Sequence, residues 1–391
     1  MADQRVLILA DDLTGALEVG AKFAANGVCS IVLSGSSSLP DVERSLVGAW
    51  VLNTETRHVA AAEAAQRVFS IAQAGLQQGF NYIYKKTDST LRGNIGAELG
   101  ALVGAASGAP VLYVPAYPRM GRTVRDGCLY VDGVPVGATT FGKDPLNPVA
   151  ESHIPTLLAG QCEVEVRVCA AAGLLENQQW GITVYDGESD ADLEAAAKAF
   201  ISSTAFRLAA GPSGFATHLS RWMNLPRSAP SALPKARRGL VVNGSLHVLS
   251  LRQLEQAKRD GFRSINSRSI PPTLAEEGWI ILEHVGDTAH ASVEFGMGLA
   301  RVVCDCLARS PVDAVVIFGG DTAHAIVKAL GNPSVHPIGE VMEGIPISRI
   351  EAKDINPNVG HGDRGLIIVT KAGGFGPIDV LARIRSLLTE G

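Results

Sequence analysis

Short apolar runs alternate with amphipathic helical patterns along most of the chain. Residues 5–10, RVLILA, have the nearly continuous apolar character of a buried strand, and residues 16–26 have the spacing of a helix. The same alternation continues through the first half of the sequence. It predicts strands at residues 5–10, 31–33, 49–52, 82–85 and 111–115, and helices at residues 16–26, 60–78 and 95–105. A βαβα order of this kind indicates a mostly parallel sheet covered by helices.

One segment of the first half interrupts this order. Residues 128–136 read CLYVDGVPV, in which the dipeptide Asp132-Gly133 is flanked by apolar residues. Asp-Gly in this setting favours the two-residue turn of a β-hairpin, because both turn positions adopt a positive φ. We therefore predict a hairpin that projects from the first domain. Such a hairpin is a candidate dimerisation arm, so a homodimer is an expectation of the sequence.

A segment rich in proline and serine separates two α/β series. Residues 226–238 read PRSAPSALPKARR and lack apolar periodicity, which is typical of a linker. We therefore predict an N-terminal domain over residues 1–230 and a C-terminal domain over residues 238–391. The C-terminal pattern predicts strands at residues 239–243, 279–284, 314–318 and 366–370, and helices at residues 248–260, 293–309, 323–330 and 378–388. The predicted fold class is α/β, with two mostly parallel sheets and an active site in the interdomain cleft.

Composition agrees with two globular α/β domains and narrows the class of partner. The chain has 391 residues, more than the roughly 250–300 at which single cores stop growing. Hydrophobic residues make up 46% and charged residues 19%, which excludes a disordered chain. The net charge of −5 lacks the basic footprint of a general nucleic-acid binder. We expect a small-molecule ligand and no nucleic-acid partner.

The cysteine pattern and the apolar runs bear on the compartment. The six cysteines form no CxxC pair, and we expect them to be ordinary buried thiols. No uncharged stretch reaches the 18 or more residues of a membrane span. The residues before the first strand lack a basic region followed by an apolar one, so we expect no signal peptide. The sequence therefore predicts a soluble cytoplasmic protein with no membrane partner.

Three predicted strands of the C-terminal domain end in glycine-containing turns that lead into helices. These turns lie in VVNGSLH, VIFGGDTAH and IVTKAGGFGP, which begin at residues 241, 316 and 368. Glycines let backbone N–H groups converge on one point, an arrangement that suits phosphate, although glycines also form tight corners without any ligand. Neither a P-loop nor the GxGxxG fingerprint is present. We predict a nucleotide site with Ser245 and Thr322 near the phosphates, and with Asp321 either near Mg²⁺ or capping a helix.

Polar residues follow several predicted strands of the N-terminal domain. Asp11 and Asp12 come directly after the first strand, and we expect one to be structural and Asp12 to be functional, unless it only caps the next helix. Arg57 follows a later strand. Residues 85–94, KKTDSTLRGN, combine three cations, one acid and three hydroxyls before a helix. Cations suit a carboxylate, and acids and hydroxyls suit a polyol, so the segment predicts a site for a small polyhydroxy acid.

Together, an anionic-polyol site and a phosphate platform are typical of a small-molecule kinase, whose catalysis rests on positioning and electrostatic stabilisation. The sequence resembles the four-carbon acid sugar kinase family in ADDLTGA (from residue 10), KKTDSTLRGN (from 85), PAYPRMGRTVRDG (from 115) and TKAGGFG (from 370). The resemblance implies transfer of phosphate from ATP to the C4 hydroxyl of a four-carbon sugar acid. It implies substrate contacts by Asp12, Arg57, Lys86, Thr87, Asp88 and Ser89, and ATP contacts by Ser245, Gly319, Gly320, Asp321, Thr322 and Gly373.

The expected reaction uses D-threonate or D-erythronate, with ATP and Mg²⁺ as cofactors. Asp12 or Asp88 would accept or orient the C4-hydroxyl proton, and Arg57, Lys86 and Arg92 would neutralise the charge of the carboxylate and of the transferred phosphoryl group. The residues leave the Mg²⁺ ligands open. A 3-oxo-tetronate 4-kinase is the close alternative. An NAD-dependent dehydrogenase and a non-catalytic sugar-acid sensor are the distant ones.

Overall fold

The chain folds into two α/β units. The computed structural model describes residues 4–35, 39, 47–144, 147–170, 181–229, 232–267, 278–283, 293–310, 312–359 and 365–390. The first unit comprises residues 1–30 and 36–228, and the second comprises residues 31–35 and 229–391. The second unit therefore includes a short N-terminal segment that the hydrophobic pattern alone does not set apart.

The first unit alternates strands and helices, as the apolar pattern predicts. Along the chain as far as residue 228 the elements are β1 (Val6–Ala10), α1 (Leu13–Ala25), β2 (Ser30–Leu33), β3 (Ala49–Asn53), α2 (Ala61–Gln77), β4 (Tyr82–Lys86), α3 (Ile95–Ala105), β5 (Val111–Tyr113), β6 (Arg122–Arg125), β7 (Cys128–Val131), β8 (Val134–Pro135), α4 (Ile154–Ala159), β9 (Val166–Cys169), β10 (Ile182–Tyr185), α5 (Asp190–Ser202), β11 (Leu208–Gly211) and α6 (Ser213–Trp222).

The main sheet of the first unit is parallel, with strand order β3-β1-β4-β11-β5-β10-β9. Strand β1 pairs with a strand on each side and every one of its residues is buried, which explains its continuous apolar run. In the register of β1 with its two neighbours, Ala10 lies opposite Asn53 and Lys86. The loops that follow these three strands therefore leave the sheet at the same edge.

The predicted hairpin is present as a small antiparallel sheet formed by β6, β7 and β8. Asp132 and Gly133 connect β7 to β8 with φ values of 49° and 80°. Two consecutive positive φ values are the requirement of the turn that the Asp-Gly dipeptide predicts. The hairpin prediction is confirmed.

The second unit continues the α/β pattern. Its remaining elements are β12 (Arg238–Asn243), α7 (Val248–Arg259), β13 (Arg263–Asn266), β14 (Gly278–Glu283), α8 (Val293–Arg309), β15 (Ala314–Phe318), α9 (Gly320–Ala329), β16 (Val335–Met342), β17 (Ile345–Ile350), β18 (Leu366–Lys371) and α10 (Val380–Glu390). The strand order within this unit is β13-β14-β12-β15-β18-β17-β16-β2. The first five strands are parallel, and β17, β16 and β2 are each antiparallel to the strand before them.

Three features of the second unit differ from the pattern-based prediction. Strand β13 lies in a segment for which no strand is predicted. The hairpin of β16 and β17 is not predicted, because Pro337 and Gly339 lie at a register shift in β16 and interrupt the alternation of apolar residues. Helix α9 begins at Gly320 rather than at residue 323, with Gly319 as its N-cap at a φ of 105°. His284, the last residue of one predicted strand, lies outside the described residues.

The sheet of the second unit packs on an apolar core that includes Phe262, Trp279, Val316 and Ile384. All six cysteines are free thiols, as the sequence predicts, but the prediction that they are buried is wrong for all except Cys306, and Cys29 is exposed. Among the helices that the structure describes, none combines the length and the apolar character needed to cross a bilayer.

Gly239 in β12 marks a close approach of backbone and aromatic ring. A Cβ at this position would lie 2.2 Å from Cε3 of Trp279. We therefore predict that Gly239→Ala lowers the free energy of unfolding by about 1–3 kcal/mol, the usual cost of overpacking a core. Urea unfolding measures this difference.

The matched control is the same substitution at Gly298 in α8, where a Cβ would meet no atom within 4 Å. Alanine is favoured over glycine in a helix interior by about 0.5–1 kcal/mol, so Gly298→Ala should leave the stability unchanged or raise it. Equal destabilisation by both variants would contradict this account of the β12 packing.

Candidate active site

The two acids that follow β1 have different surroundings. Asp12 caps α1, accepting a hydrogen bond from the Gly15 amide at 2.7 Å. Arg57 donates to the Asp11 carboxylate from Nε at 2.8 Å and from Nη2 at 3.0 Å, and it donates from Nη1 to Asp12 Oδ2 at 2.5 Å. The Asp12 side chain is 26% exposed and that of Asp11 only 3%. Asp11 is therefore the structural acid of the pair, and Asp12 is both a helix cap and accessible.

Arg57 and Asp11 form a buried ion pair. Burial alone would raise the pKa of Asp11, but the Arg57 guanidinium and the Lys85 ammonium outweigh it, and the pKa lies below its usual value. Burial would likewise lower the pKa of Arg57, but Asp11, Asp12 and Asp88 raise it well above its usual value. Both groups therefore stay charged across the physiological range.

The loop after β4 places Asp88 beside the same guanidinium. The Asp88 carboxylate accepts hydrogen bonds from the Thr90 amide at 2.9 Å and from Nε and Nη2 of Arg92 at 3.1 and 2.7 Å. Nη2 of Arg57 lies 3.8 Å from it. Burial would raise the pKa of Asp88, but Arg92 and Arg57 hold it well below its usual range. Because its side chain is buried and its pKa is lowered, Asp88 is a poor proton acceptor.

Lys85 and Lys86 end β4 and point to different partners. Lys85 is fully buried, with Nζ 3.0 Å from Glu98 Oε2 and 3.0 Å from the Lys86 carbonyl oxygen. Thr56 donates a hydrogen bond to the other carboxylate oxygen of Glu98. Lys86 donates from Nζ to the Thr87 carbonyl oxygen at 3.0 Å, and Glu18 lies 3.9 Å away. Lys85 is thus a structural lysine, whereas Lys86 lies beside the α1 N-terminus.

Each cation of this cluster has a carboxylate partner, which sequence reasoning does not predict. The ion pairs join Arg57, Lys85 and Arg92 to Asp11, Asp12, Asp88 and Glu98, and Lys86 lies 3.9 Å from Glu18. The concentration of cations visible at residues 85–92 is therefore not a free positive patch. The Glu98 side chain carries no sequence signal of this role, because it lies within a helix whose buried residues are otherwise apolar or glycine.

The remaining predicted residues of the first unit lie in the same loop. Thr87 is buried, Ser89 is half-buried, and the Arg92 side chain is 29% exposed. Lys86 Nζ lies 3.0 Å and Asp12 Oδ1 2.7 Å from where a Cβ would stand on Gly15, so these two side chains meet at the start of α1. The structure therefore brings Asp12, Arg57, Lys86, Asp88 and Arg92 together.

The three glycine loops of the second unit converge in the same way, because β12, β15 and β18 are adjacent parallel strands. A Cβ on Gly244 would lie 1.7 Å from Thr322 Oγ1, and a Cβ on Gly373 would lie 2.4 Å from Ser245 Oγ. Gly319 at the N-cap also lies beside Ser245. Glycine is required at these contacts, and the loops form one surface of backbone and hydroxyl groups.

Two side chains of this surface have defined local roles. Asp321 lies in the first turn of α9 and is exposed, and the cap of that helix is Gly319 rather than Asp321. His247 caps α7, with Nδ1 accepting from the Leu249 amide at 3.1 Å. Asp321 is thus available to a ligand, whereas His247 has a structural function.

A cavity of about 800 Å³ lies at the carboxyl ends of β12 and β14. Its lining includes Asn243, Leu246, Val248, Ile281 and Phe295. It is apolar for the most part and adjoins the first glycine loop. Its volume and character fall within the range of small-molecule sites.

Two family models match this chain, one in its N-terminal part and one in its C-terminal part. A model described as a sugar-binding N-terminal domain matches residues 6–219, and one described as a nucleotide-binding C-terminal domain matches residues 280–381. A Bordetella bronchiseptica protein named D-threonate kinase is 31% identical over 98% of this chain and 97% of its own. The chain belongs to the four-carbon acid sugar kinase family.

Other members of the family differ in the named substrate. An Escherichia coli 3-oxo-tetronate kinase is 28% identical over 83% of this chain and 87% of its own. A Heliobacterium modesticaldum D-erythronate kinase is 29% identical over 72% of this chain and 69% of its own.

A solved structure from Salmonella typhimurium has the same fold as this chain. The TM-score is 0.79 and the identity is 20%, with 97% of this chain and 98% of that one covered. One from Haemophilus influenzae has a TM-score of 0.73 and 20% identity over 98% of this chain and 100% of that one.

The buried Lys85–Glu98 pair yields a stability prediction. Lys85→Met leaves the Glu98 carboxylate buried and unpaired, so we expect unfolding free energy to fall by about 3–5 kcal/mol. The double variant with Glu98→Gln should recover a large part of that loss, because no uncompensated charge remains. Urea unfolding of both variants measures the difference.

The control is Lys198→Met, which removes an exposed ion pair with Glu194 at 2.9 Å. Surface pairs contribute about 0–1 kcal/mol, so this variant should unfold close to the wild type. A Lys85→Met protein as stable as the Lys198→Met protein would show that the buried pair is not a structural element.

Proposed function

We propose that this protein is an ATP-dependent kinase that phosphorylates the C4 hydroxyl of a four-carbon sugar acid, with D-threonate or D-erythronate as substrate. The observation that carries the proposal is the cluster around Asp12, where an accessible carboxylate is held by Arg57 beside Lys86. The family models for sugar binding and nucleotide binding support it, as does the D-threonate kinase similar over nearly the whole chain.

Asp12 is the proposed proton acceptor. In the transfer, the C4 hydroxyl loses its proton to the Asp12 carboxylate, the new O4–P bond forms, and the bond from the γ-phosphorus to ADP breaks. Asp11 and Asp88 are buried and have lowered pKa values, which suits them to hold arginines rather than protons. We assign Asp88 to positioning Arg57 and Arg92.

We propose that Arg57 orients Asp12 and does not bind the substrate carboxylate, because its Nε, Nη1 and Nη2 already donate to Asp11 and Asp12. We assign the substrate carboxylate and hydroxyls to Lys86, Thr87, Ser89 and Arg92. Arg92 also donates from Nε and Nη2 to Asp88, but its side chain is more exposed than that of Arg57 and its Nη1 only approaches Asp144, at 3.5 Å.

ATP is the proposed phosphate donor, bound by the second unit. We place its phosphates against Ser245, Gly319, Gly320, Thr322 and Gly373, where backbone and hydroxyl groups converge. The base fits the size and apolar lining of the cavity beside Leu246 and Ile281. Mg²⁺ at phosphates keeps several waters and takes one or two carboxylates, and the exposed Asp321 meets that need. When bound, Mg²⁺ neutralises phosphate charge.

A 3-oxo-tetronate kinase is the second candidate, because an Escherichia coli relative with that name is 28% identical. The two classes of substrate differ in the oxidation state of C3, which carries a hydroxyl in threonate and erythronate and an oxo group in 3-oxo-tetronate. The NAD-dependent dehydrogenase is disfavoured, since the glycine loops lack the GxGxxG fingerprint and the named relatives are kinases.

The proposal predicts ADP formation from Mg²⁺-ATP in the presence of a four-carbon sugar acid. D-threonate or D-erythronate should give the highest kcat/KM, measured against 3-oxo-tetronate and the remaining stereoisomers by a coupled ADP assay. A higher kcat/KM for 3-oxo-tetronate would select the second candidate. No ADP above background with any of these acids would overturn the kinase proposal.

Asp12→Asn tests the proposed base. We expect kcat to fall at least about 100-fold, the usual contribution of general base catalysis, with little change in the KM for ATP. Asp126→Asn is the control, because Asp126 is exposed in the β6–β7 turn at a φ of 50°, which asparagine also adopts readily. An Asp12→Asn enzyme with the kcat of the control would remove Asp12 from the chemical step.

A further inference from the structure

Lys371, the last residue of β18, is a buried lysine that contacts the third glycine loop. Its side chain is 1% exposed. Nζ donates to the carbonyl oxygens of Ala372, Gly373 and Phe375 at 3.0, 2.9 and 3.1 Å. It also lies 4.3 Å from the centroid of the Phe318 ring. Nζ also lies 3.4 Å from Ser250 Oγ on α7, so its contacts are to the glycine loop, to the neighbouring strand β15 and to α7.

No acidic side chain forms an ion pair with this ammonium group in the part of the chain that the structure describes. Burial lowers the pKa of Lys371 to about 8. Placing an unpaired cation inside a protein is costly unless oxygen atoms surround it. The three loop carbonyls, the Ser250 hydroxyl and the Phe318 ring are the groups that compensate it here. The lysine and the loop conformation therefore depend on each other.

Two further buried side chains, both on α7, act on the same loop. Gln253 Nε2 lies 3.0 Å from the carbonyl oxygens of Phe375 and Gly376 and 2.9 Å from that of Pro377. Ser250 Oγ donates to the Gly373 carbonyl oxygen at 2.8 Å. The loop carbonyls therefore point inward, toward the donors of β18 and α7.

Two amide groups of the same loop are not used by the protein. In the described part of the chain, the N–H groups of Gly373 and Gly374 donate to no protein acceptor, and Gly374 is exposed. Gly373 touches Ser245, the residue of the first glycine loop that carries the hydroxyl. Successive amides turned to one side form a concave site for anions.

We infer that Lys371 is a positioning residue for nucleotide phosphate: it holds the loop carbonyls inward and so directs the Gly373 and Gly374 amides toward the phosphate oxygens. This inference rests on the proposed nucleotide site. Lys371 acts through the loop, and its ammonium adds a positive charge behind the amides. Gln253 performs the same task at residues 375–377.

The test compares a phosphorylated ligand with one that lacks phosphate. Titration calorimetry should show that Lys371→Met weakens ADP binding about 10- to 100-fold, as expected for lost charge-assisted hydrogen bonds. Adenosine should bind within about twofold of the wild type, because it makes no phosphate contact. In kinetics, the KM for ATP should rise while the KM for the sugar acid stays unchanged. The control Lys328→Met removes an exposed lysine from α9 and should change none of these values.

Two more variants separate positioning from folding. Lys371→Arg keeps a cationic donor and should recover part of the ADP affinity, and Gln253→Met should weaken ADP more than adenosine. If Lys371→Met does not fold, Gln253→Met decides the question. Equal losses for ADP and adenosine, or no loss for either, would overturn the inference while leaving the kinase proposal intact. A wild-type protein that binds no ADP would overturn the nucleotide site and the inference with it.

Discussion

The buried guanidinium of Arg57 is the interaction on which the first site depends. Arg57 lies in the loop after β3, contacts Asp11 and Asp12 after β1, and approaches Asp88 after β4. It therefore joins the loops that follow three adjacent strands. The burial of so many charges is tolerated only because each has a partner, and removing one would leave another uncompensated. The arrangement leaves Asp12 as the more exposed acid of the pair beside Arg57 and fixes its orientation. Preorganisation of this kind is what phosphoryl transfer requires of a protein.

The second unit uses backbone groups where the first uses charged side chains. Its three loops approach so closely that a side chain at Gly244 or Gly373 would collide with Thr322 or Ser245. Inward carbonyls are satisfied by Lys371 and Gln253, which leaves amides for an anion. The two units therefore offer complementary chemistry: paired side-chain charges for a polar acid, and oriented dipoles for phosphate.

Much of this architecture follows from the sequence, and the reasons for the gaps are physical. Strand-ending motifs predict which residues gather, because parallel strands expose their carboxyl ends at one edge, and the Asp11–Asp12, Arg57 and Lys85–Asn94 segments do meet. Which residues of this cluster pair with each other depends on the tertiary structure. The local sequence does not show that Lys85 pairs with Glu98, or that Arg57 pairs with aspartates. The β16–β17 hairpin is not predicted because a bulge at Pro337 and Gly339 interrupts the alternation of apolar and polar residues in β16. The sequence does not predict the role of Lys371 either. A lysine beside glycines suggests direct contact with phosphate, not support of the loop conformation.

The central claim is that the protein transfers phosphate to an alcohol of a four-carbon sugar acid. The most direct measurement is the ³¹P NMR spectrum of the product made from ATP and D-threonate or D-erythronate. The account predicts the signal of a phosphomonoester split by the two protons on C4, because Asp12 activates that hydroxyl. A signal of an acyl phosphate at the carboxylate, of an ester at another carbon, or of inorganic phosphate alone would contradict it.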